Sequence, residues 1–260
     1  MSDPHEPTGQ DGQISKARAY NALTGGDDNT SAERRRIAAF MKKWPSVPRL
    51  GAVQRAYVLR AVRYLAEEHG MDQFLELGCA LPSSPNIHDV AQSIHPNAAV
   101  VYVDNDPSVL AHAEASYAAG PRTTYIEADV SKPDYILTHP STRQLIDFSR
   151  PVAVLMFTVW HYVPDTADPA AKIAQYREAV PKGSIIAMSH EITDGAPQEL
   201  VDDTRAVFPG GQFPRPLSEV EQMLAGLTII EPWTDLQLWR APEPEELAQI
   251  RLVGAIARKD

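Results

Sequence analysis

From Gln73 onward the chain alternates short apolar segments with amphipathic ones, and no other feature narrows its fold as much. Residues 74–78, 100–104, 123–128, 152–159 and 184–188 have the length and residue types of strands. Residues 152–159 are apolar but for Thr158, as expected for a strand buried on both faces of a parallel sheet. Helical patterns fill the intervals. Ser84 can cap a helix with Pro85 at its first position and Ile87, Val90, Ala91 and Ile94 on its buried face. Asp106 caps the next, with Pro107 first and Gly120 beyond its end, and Asp168-Pro169 opens another that stops before Pro181. Residues 198–208 and 218–224 also read as helices, and residues 228–233 and 252–258 as strands. The alternation means βαβ units and an α/β fold with a doubly wound, mostly parallel, seven-stranded sheet. The last two strands have no long helix between them. They are expected as an antiparallel pair at the sheet edge, one of them able to slot inside.

The first seventy residues follow a different pattern. Residues 1–13 form a polar tail expected to be disordered. Residues 15–23 read as a short helix, stopped by Gly25-Gly26 and followed by a turn at Asp27-Asp28-Asn29. Thr30 and Glu33 make a capping box for a helix running to about Lys43, ended by Trp44-Pro45. A third helix is expected over residues 53–69, with Val58, Val62 and Leu65 on one face and Gly70 as its stop. Residues 14–70 are therefore an N-terminal helical cap on an α/β domain of residues 71–260.

Composition excludes several classes. A net charge of −10 on 260 residues argues against a general nucleic-acid binder. Arg34-Arg35-Arg36 lies within a helical pattern and reads as a solvated face. No apolar run approaches a membrane span, and the acidic, polar start is unlike a secretory signal. The single cysteine, Cys79, forbids an intrachain disulfide and favours a cytoplasmic location. There is no H-E-x-x-H, no G-x-S-x-G and no phosphate-binding G-x-x-x-x-G-K-[ST], and no metal site is expected.

In a doubly wound sheet, ligands bind beyond the carboxyl ends of the strands. Three features lie there. Glu76-Leu77-Gly78-Cys79-Ala80 ends the first strand, with small residues that let the backbone approach a ligand. Asp104-Asn105 ends the second, at the spacing of a carboxylate that accepts bonds from ribose hydroxyls. Asp129-Val130 follows the third, where Asp129 can accept from an adenine amino group. The turn has one glycine where a dinucleotide site needs G-x-G-x-x-G, and it carries Pro82 and Pro85. It suits a nucleoside without phosphates, S-adenosyl-L-methionine, better than a pyrophosphate. The terminal strand pair likewise looks like the seven-stranded class I methyltransferase (Rossmann-like) sheet.

The sequence also resembles a bacterial family of S-adenosylmethionine-dependent methyltransferases long catalogued as a domain of unknown function. The residues that carry this are Arg18-Ala19-Tyr20-Asn21, Gly25 to Asn29, Gln73 to Gly78, Leu81 to Asn86, and Val101 to Pro107. The likeness covers nearly the whole chain after residue 14. It implies the cofactor and the fold without defining a substrate. Cys79-Ala80 departs from a more glycine-rich turn, and Asn21 stands where an acid would be usual.

Methyl transfer is an in-line displacement in which positioning does much of the work. The loop after the fourth strand lies where acceptors bind. Phe157 can pack near the cofactor, Trp160 and Tyr162 can line an acceptor pocket, and His161 is the first candidate for a general base, with His190 second. Each histidine also has a structural reading, for His161 a bond to backbone or to Asp165. Arg18, Tyr20 and Asn29 are candidates for a lid, though the glycines and Asn29 are equally explained by a helix stop. The expected acceptor is a small molecule, with no nucleic-acid or membrane partner. Two alternatives stay open: a nicotinamide-dependent oxidoreductase, and a protein that binds S-adenosylmethionine without catalysis.

Overall fold

The computed structural model describes residues 14–116, 120–208, 210–242 and 251–260. The expected N-terminal tail and Pro209 lie outside the described residues. Three helices come first: α1 (Lys16–Leu23), α2 (Ser31–Lys43) and α3 (Val47–His69). There follow β1 (Gln73–Leu77), α4 (Ile87–Ile94), β2 (Ala99–Asp104), α5 (Pro107–Ser116) and β3 (Thr123–Glu127). Next are α6 (Pro133–Thr138), α7 (Pro140–Leu145), β4 (Ala153–Phe157), α8 (Pro169–Ala179) and β5 (Ile185–Ile192). The chain closes with α9 (Gln198–Val207), α10 (Leu217–Gln222), β6 (Thr228–Asp235) and β7 (Arg251–Arg258).

The seven strands form one sheet in the order β3-β2-β1-β4-β5-β7-β6. β1 to β5 pair in parallel, and β7 runs antiparallel between β5 and β6. The strand that slots inside is thus the last one. β6 is left at the edge, where its pairing with β7 shifts around Pro232, a residue with no N–H to donate. The order reverses between β1 and β4, which opens a crevice at their carboxyl ends.

Strand alternation divides the core between two faces. On one, Tyr57, Ala61 and Leu65 of α3 belong to a cluster with Phe74, Leu155 and Ala187. On the other, Ile136, Tyr176 and Val220 cluster with Leu75, Val154 and Ile186. All of these side chains are essentially buried. A fully buried aliphatic or aromatic side chain contributes roughly 1.5–3 kcal/mol, so α3 is held by its own core and not only by its connection.

Three element boundaries differ most from the sequence expectation. α3 begins at Val47, not near residue 53, because Pro48 sits in its first turn, where proline is tolerated, and Gly51 packs against Thr24. α4 is capped by Asn86, with Ile87 first, in place of Ser84 and Pro85. The cause is a reciprocal box: Asn86 accepts from the third helical N–H while Asp89 accepts from the Asn86 N–H at 2.7 Å. β5 continues four residues past Met188, because β7 pairs with it through Ile192. The short helices α6 and α7 have no counterpart in the sequence reading.

Candidate functional site

A cavity of about 1050 Å³ lies beyond the carboxyl ends of the strands, under α1 and α3. One end is built by the three strand termini. Gly78 has φ +74°, and a Cβ there would stand 2.4 Å from Val159 Cγ2, so this turn and the loop after β4 are packed in register. Gly78 and Cys79 both donate to the Val103 carbonyl, at 2.7 and 3.1 Å. Ala80 sits at φ +56°, a conformation that favours glycine, and its N–H donates to Asp104 Oδ2 at 2.9 Å. That bond explains how a turn with Cys79-Ala80 keeps the geometry of a more glycine-rich one. Asp104 Oδ1 accepts from the Asp106 N–H at 3.0 Å. Each carboxylate oxygen keeps acceptor capacity for a ligand hydroxyl.

Glu76, Gly78, Cys79, Ala80, Asp104, Asn105, Asp129, Val130 and Phe157 all line this cavity. Asp106 is the helix cap read from the sequence: its Oδ1 accepts from Ser108 N at 2.9 Å and Oγ at 2.6 Å. It also accepts from Ser15 Oγ, which docks the start of α1 onto the site. Burial pushes the Glu76 carboxyl up to about 8, with Arg55 opposing and Asp104 adding to the shift. Burial also raises Asp104, against the backbone donors Ala80 and Asp106. A cradle of carboxyl groups with one turn glycine fits a cationic nucleoside without phosphates and would repel a pyrophosphate.

The cap closes this end. Arg18 and Tyr20 line the cavity, as do Ser15 and Lys16. Glu33, 1% exposed, ties the cap together by accepting from Thr30 N at 2.7 Å, Thr30 Oγ1 at 2.6 Å, Ser15 N at 3.0 Å and Arg18 Nε at 3.0 Å. Burial alone would raise its pKa; these donors outweigh that and hold it below the usual range. Asn29 is not among the lining residues. It donates to Asn21 Oδ1 and the Gly26 carbonyl, both at 2.7 Å, and so shapes the turn. Asn21 thus makes a polar contact within the cap in place of the expected acid.

The other end of the cavity lies between α3, the loop after β4, β5 and α9. Val47, Leu50, Gln54 and Val58 present one stripe of α3 to it, which requires the early helix start. His161 and Tyr162 line it; Trp160 does not, being fully buried against Tyr176. His161 is 4% exposed, and its Nδ1 has no hydrogen-bond partner among the described residues. Burial, then His190, Arg215 and Lys16, hold it well below an ordinary imidazole. It is neutral near pH 7, able to accept or donate a hydrogen bond but weak as a base.

His190 does not line the cavity. It lies on β5, not past its end, and alternation turns it to the opposite face from Glu191. Its Nδ1–H donates to the Glu191 carbonyl at 2.7 Å and its Nε2 accepts from Arg215 Nη1 at 3.1 Å. Arg215 in turn donates to the carbonyls of Trp160 and Val163 and to Asp165, fastening the loop that carries His161. Asp165 therefore partners Arg215, not His161.

Among the cavity residues that the sequence reading did not single out are Lys16, Gln54, Glu191 and Thr204. The signal for Glu191 was alternation, which continues the Ile185–Ala187–Ser189 face once β5 is extended. Burial pushes Glu191 up to about 8.

These shifts predict a pH dependence. A carboxyl raised from about 4.5 unfolded to about 8 folded stabilises fully below the lower value and loses that contribution as pH rises to the upper one. The depressed His161 and His190 act oppositely, their contribution being lost as pH falls below about 6.5. Stability of the ligand-free protein should therefore peak near pH 6 and fall by about 3 kcal/mol by pH 8.5. Urea melts across that range check this; a flat profile between pH 6 and 8.5 would remove the two carboxyls as buried neutral groups.

The sheet order, the antiparallel inserted strand and the carboxyl-lined crevice define a class I methyltransferase fold. The chain belongs to a family described as S-adenosyl methyltransferase, whose model matches residues 6–260. It is similar to a DUF574 family protein from Streptomyces avermitilis MA-4680, with 34% identity, a TM-score of 0.90, and 95% of this chain and 98% of that one covered. It is also similar to a candidate methyltransferase from Thermobifida fusca YX, with 37% identity, a TM-score of 0.89, and 95% and 96% covered. The N-methyltransferase NodS from Bradyrhizobium japonicum WM9, bound to S-adenosyl-L-homocysteine, shares the fold at 12% identity and a TM-score of 0.51, over 93% of this chain and 98% of that one. No curated protein matches the sequence. S-adenosylmethionine is thus the methyl donor, and the nicotinamide alternative falls. Among the described residues no helix is long and apolar enough to cross a membrane.

Proposed function

We propose that the enzyme methylates a small molecule held between α3 and the end of β5, with the methyl donor held at the termini of β1, β2 and β3. The observation that carries this is the cavity itself. At about 1050 Å³ it matches the upper end of small-molecule sites, with room for donor and acceptor together. Its acceptor end is walled by apolar residues, Leu23, Phe40, Leu50 and Phe208, around a few polar groups. α1 roofs the donor end, so a polymer would have to thread beneath the cap. Asp104 and Asp129 would hold the ribose and adenine, and Glu76 the amino-acid end of the donor, which supplies an activated methyl group. His161 would orient the acceptor through its free Nδ1, while Arg18 and Tyr20 would act as a lid.

Calorimetric titration with S-adenosylmethionine, S-adenosylhomocysteine and NAD tests the donor half. Binding of the first two alone is expected. Asp104→Ala should weaken binding by more than about 1 kcal/mol, since the carboxylate's bonds are charge-assisted. Unchanged affinity in a folded variant would sink the ribose assignment. Turnover across a panel of small acceptors tests the other half, and donor binding without any product would favour a binding protein.

A further inference from the structure

Four buried polar atoms at the acceptor end are left over among the described residues: Thr204 Oγ1 on α9, and three on Glu191, Gln212 and His161. Gln212 Nε2 donates to Glu191 Oε2 at 2.5 Å. Glu191 Oε1, Gln212 Oε1 and His161 Nδ1 are buried and have no partner among the described residues. All three residues line the one cavity, and the backbone holds them together. The Phe213 N–H donates to the His161 carbonyl at 2.6 Å, and the Arg215 N–H to the Glu191 carbonyl at 3.4 Å. The loop carrying Gln212 is thereby laced both to the end of β5 and to the loop after β4.

A buried polar atom without a partner costs roughly 1–3 kcal/mol, so a ligand that supplies the missing bonds is strongly favoured. Gln212 Oε1 can only accept, and so can Glu191 Oε1 once a bound cation draws the carboxyl into its ionised form, which burial disfavours in the ligand-free protein. A hydroxyl has one hydrogen and can satisfy only one of them. A nitrogen with two or more hydrogens satisfies both. Its positive charge also compensates an ionised Glu191, which is 5% exposed and has no ion pair among the described residues.

Resting on the methyltransferase reading above, the geometry points to an amine on an apolar scaffold as the acceptor, with its nitrogen held by Glu191 and Gln212 and methylated there. The ammonium gives one proton to the Glu191 carboxylate. The freed lone pair attacks the sulfonium methyl; an N–C bond forms, the S–C bond breaks, and its electron pair stays on sulfur. The products are S-adenosylhomocysteine and a methylammonium, and the proton on Glu191 leaves to solvent with product. Glu191 suits this role because its pKa, raised to about 8 by burial, lies near that of a working base.

The test is binding to the full chain saturated with S-adenosylhomocysteine. The probes are matched pairs: 2-phenylethylamine with 2-phenylethanol, and hexylamine with 1-hexanol. Amines should bind at least about tenfold tighter than their alcohols, and Glu191→Gln should erase that preference while keeping affinity for S-adenosylhomocysteine within about twofold. Gln212→Met, which keeps the carboxylate, should weaken the amines several-fold and leave the alcohols unchanged. Alcohols binding as well as amines, an amine preference that survives in Glu191→Gln, or no amine binding at all would overturn the inference. Failure of S-adenosylhomocysteine to bind the unsubstituted protein would instead overturn the donor site, and the inference with it.

Discussion

Arg215→Met should destabilise the protein by about 4 kcal/mol, because it strips hydrogen bonds from several buried groups at once. Arg215 is 4% exposed and donates to the carbonyls of Trp160 at 3.1 Å, Val163 at 2.6 Å and Phe213 at 3.2 Å, and to His190 Nε2 at 3.1 Å. Its ion pair with Asp165 adds little, since that carboxylate is 78% exposed. The loss falls on the loop that carries His161, so acceptor turnover should drop further than donor affinity. Arg215→Lys should recover less than half of the stability, because one ammonium cannot reach carbonyls that a planar fork spans. Urea unfolding and donor titration measure both effects. A loss below about 1 kcal/mol would mean that water replaces the guanidinium and that the loop does not depend on it.

Gly78→Ala should be nearly as damaging, for a different reason. The left-handed backbone at φ +74° costs a Cβ-bearing residue about 1–2 kcal/mol. The new Cβ would also stand 2.4 Å from Val159 Cγ2 and 2.7 Å from its Cβ, so one of two loops must move. Either movement disturbs the donor site, and affinity for S-adenosylmethionine should fall at least about tenfold. Adding Val159→Ala removes the collision and leaves the backbone strain. The double variant should therefore regain roughly half of the lost stability, a coupling that independent sites would not show. Strict additivity in thermal melts would show that packing between the two loops is not what requires glycine here.

The strands were legible because those of a parallel sheet are buried on both faces, which leaves unbroken apolar runs such as residues 152–157. Asp104 was legible for a related reason: a polar residue that closes such a run marks where the chain leaves the core. The acceptor end was much less so. Ser189, His190 and Glu191 read as a loop after Met188, because nothing local shows that polar residues there will be buried. They are buried because β7, some sixty residues on, pairs along them to Ile192. The roles of Gln212 and Arg215 are set by partners far away in the chain, Glu191 and His190 on β5 and the carbonyls of Trp160 and Val163. Lys16 was hidden likewise; it reaches the cavity only because Ser15 is docked on Asp106 and Glu33.

Local chemistry in the sequence thus determined the alternating α/β architecture, the carboxyl groups at the strand ends and the helix caps at Thr30 and Asp106, since each depends on residues a few positions apart. Tertiary structure alone decided that Glu191 and not His190 faces the cavity, that Asn29 bonds within its turn and does not line the cavity, and which buried polar atoms are left without partners among the described residues. A strand's side chains alternate with a period of two, so its inward set depends on where pairing carries it. That pairing is made by strands far away in the chain.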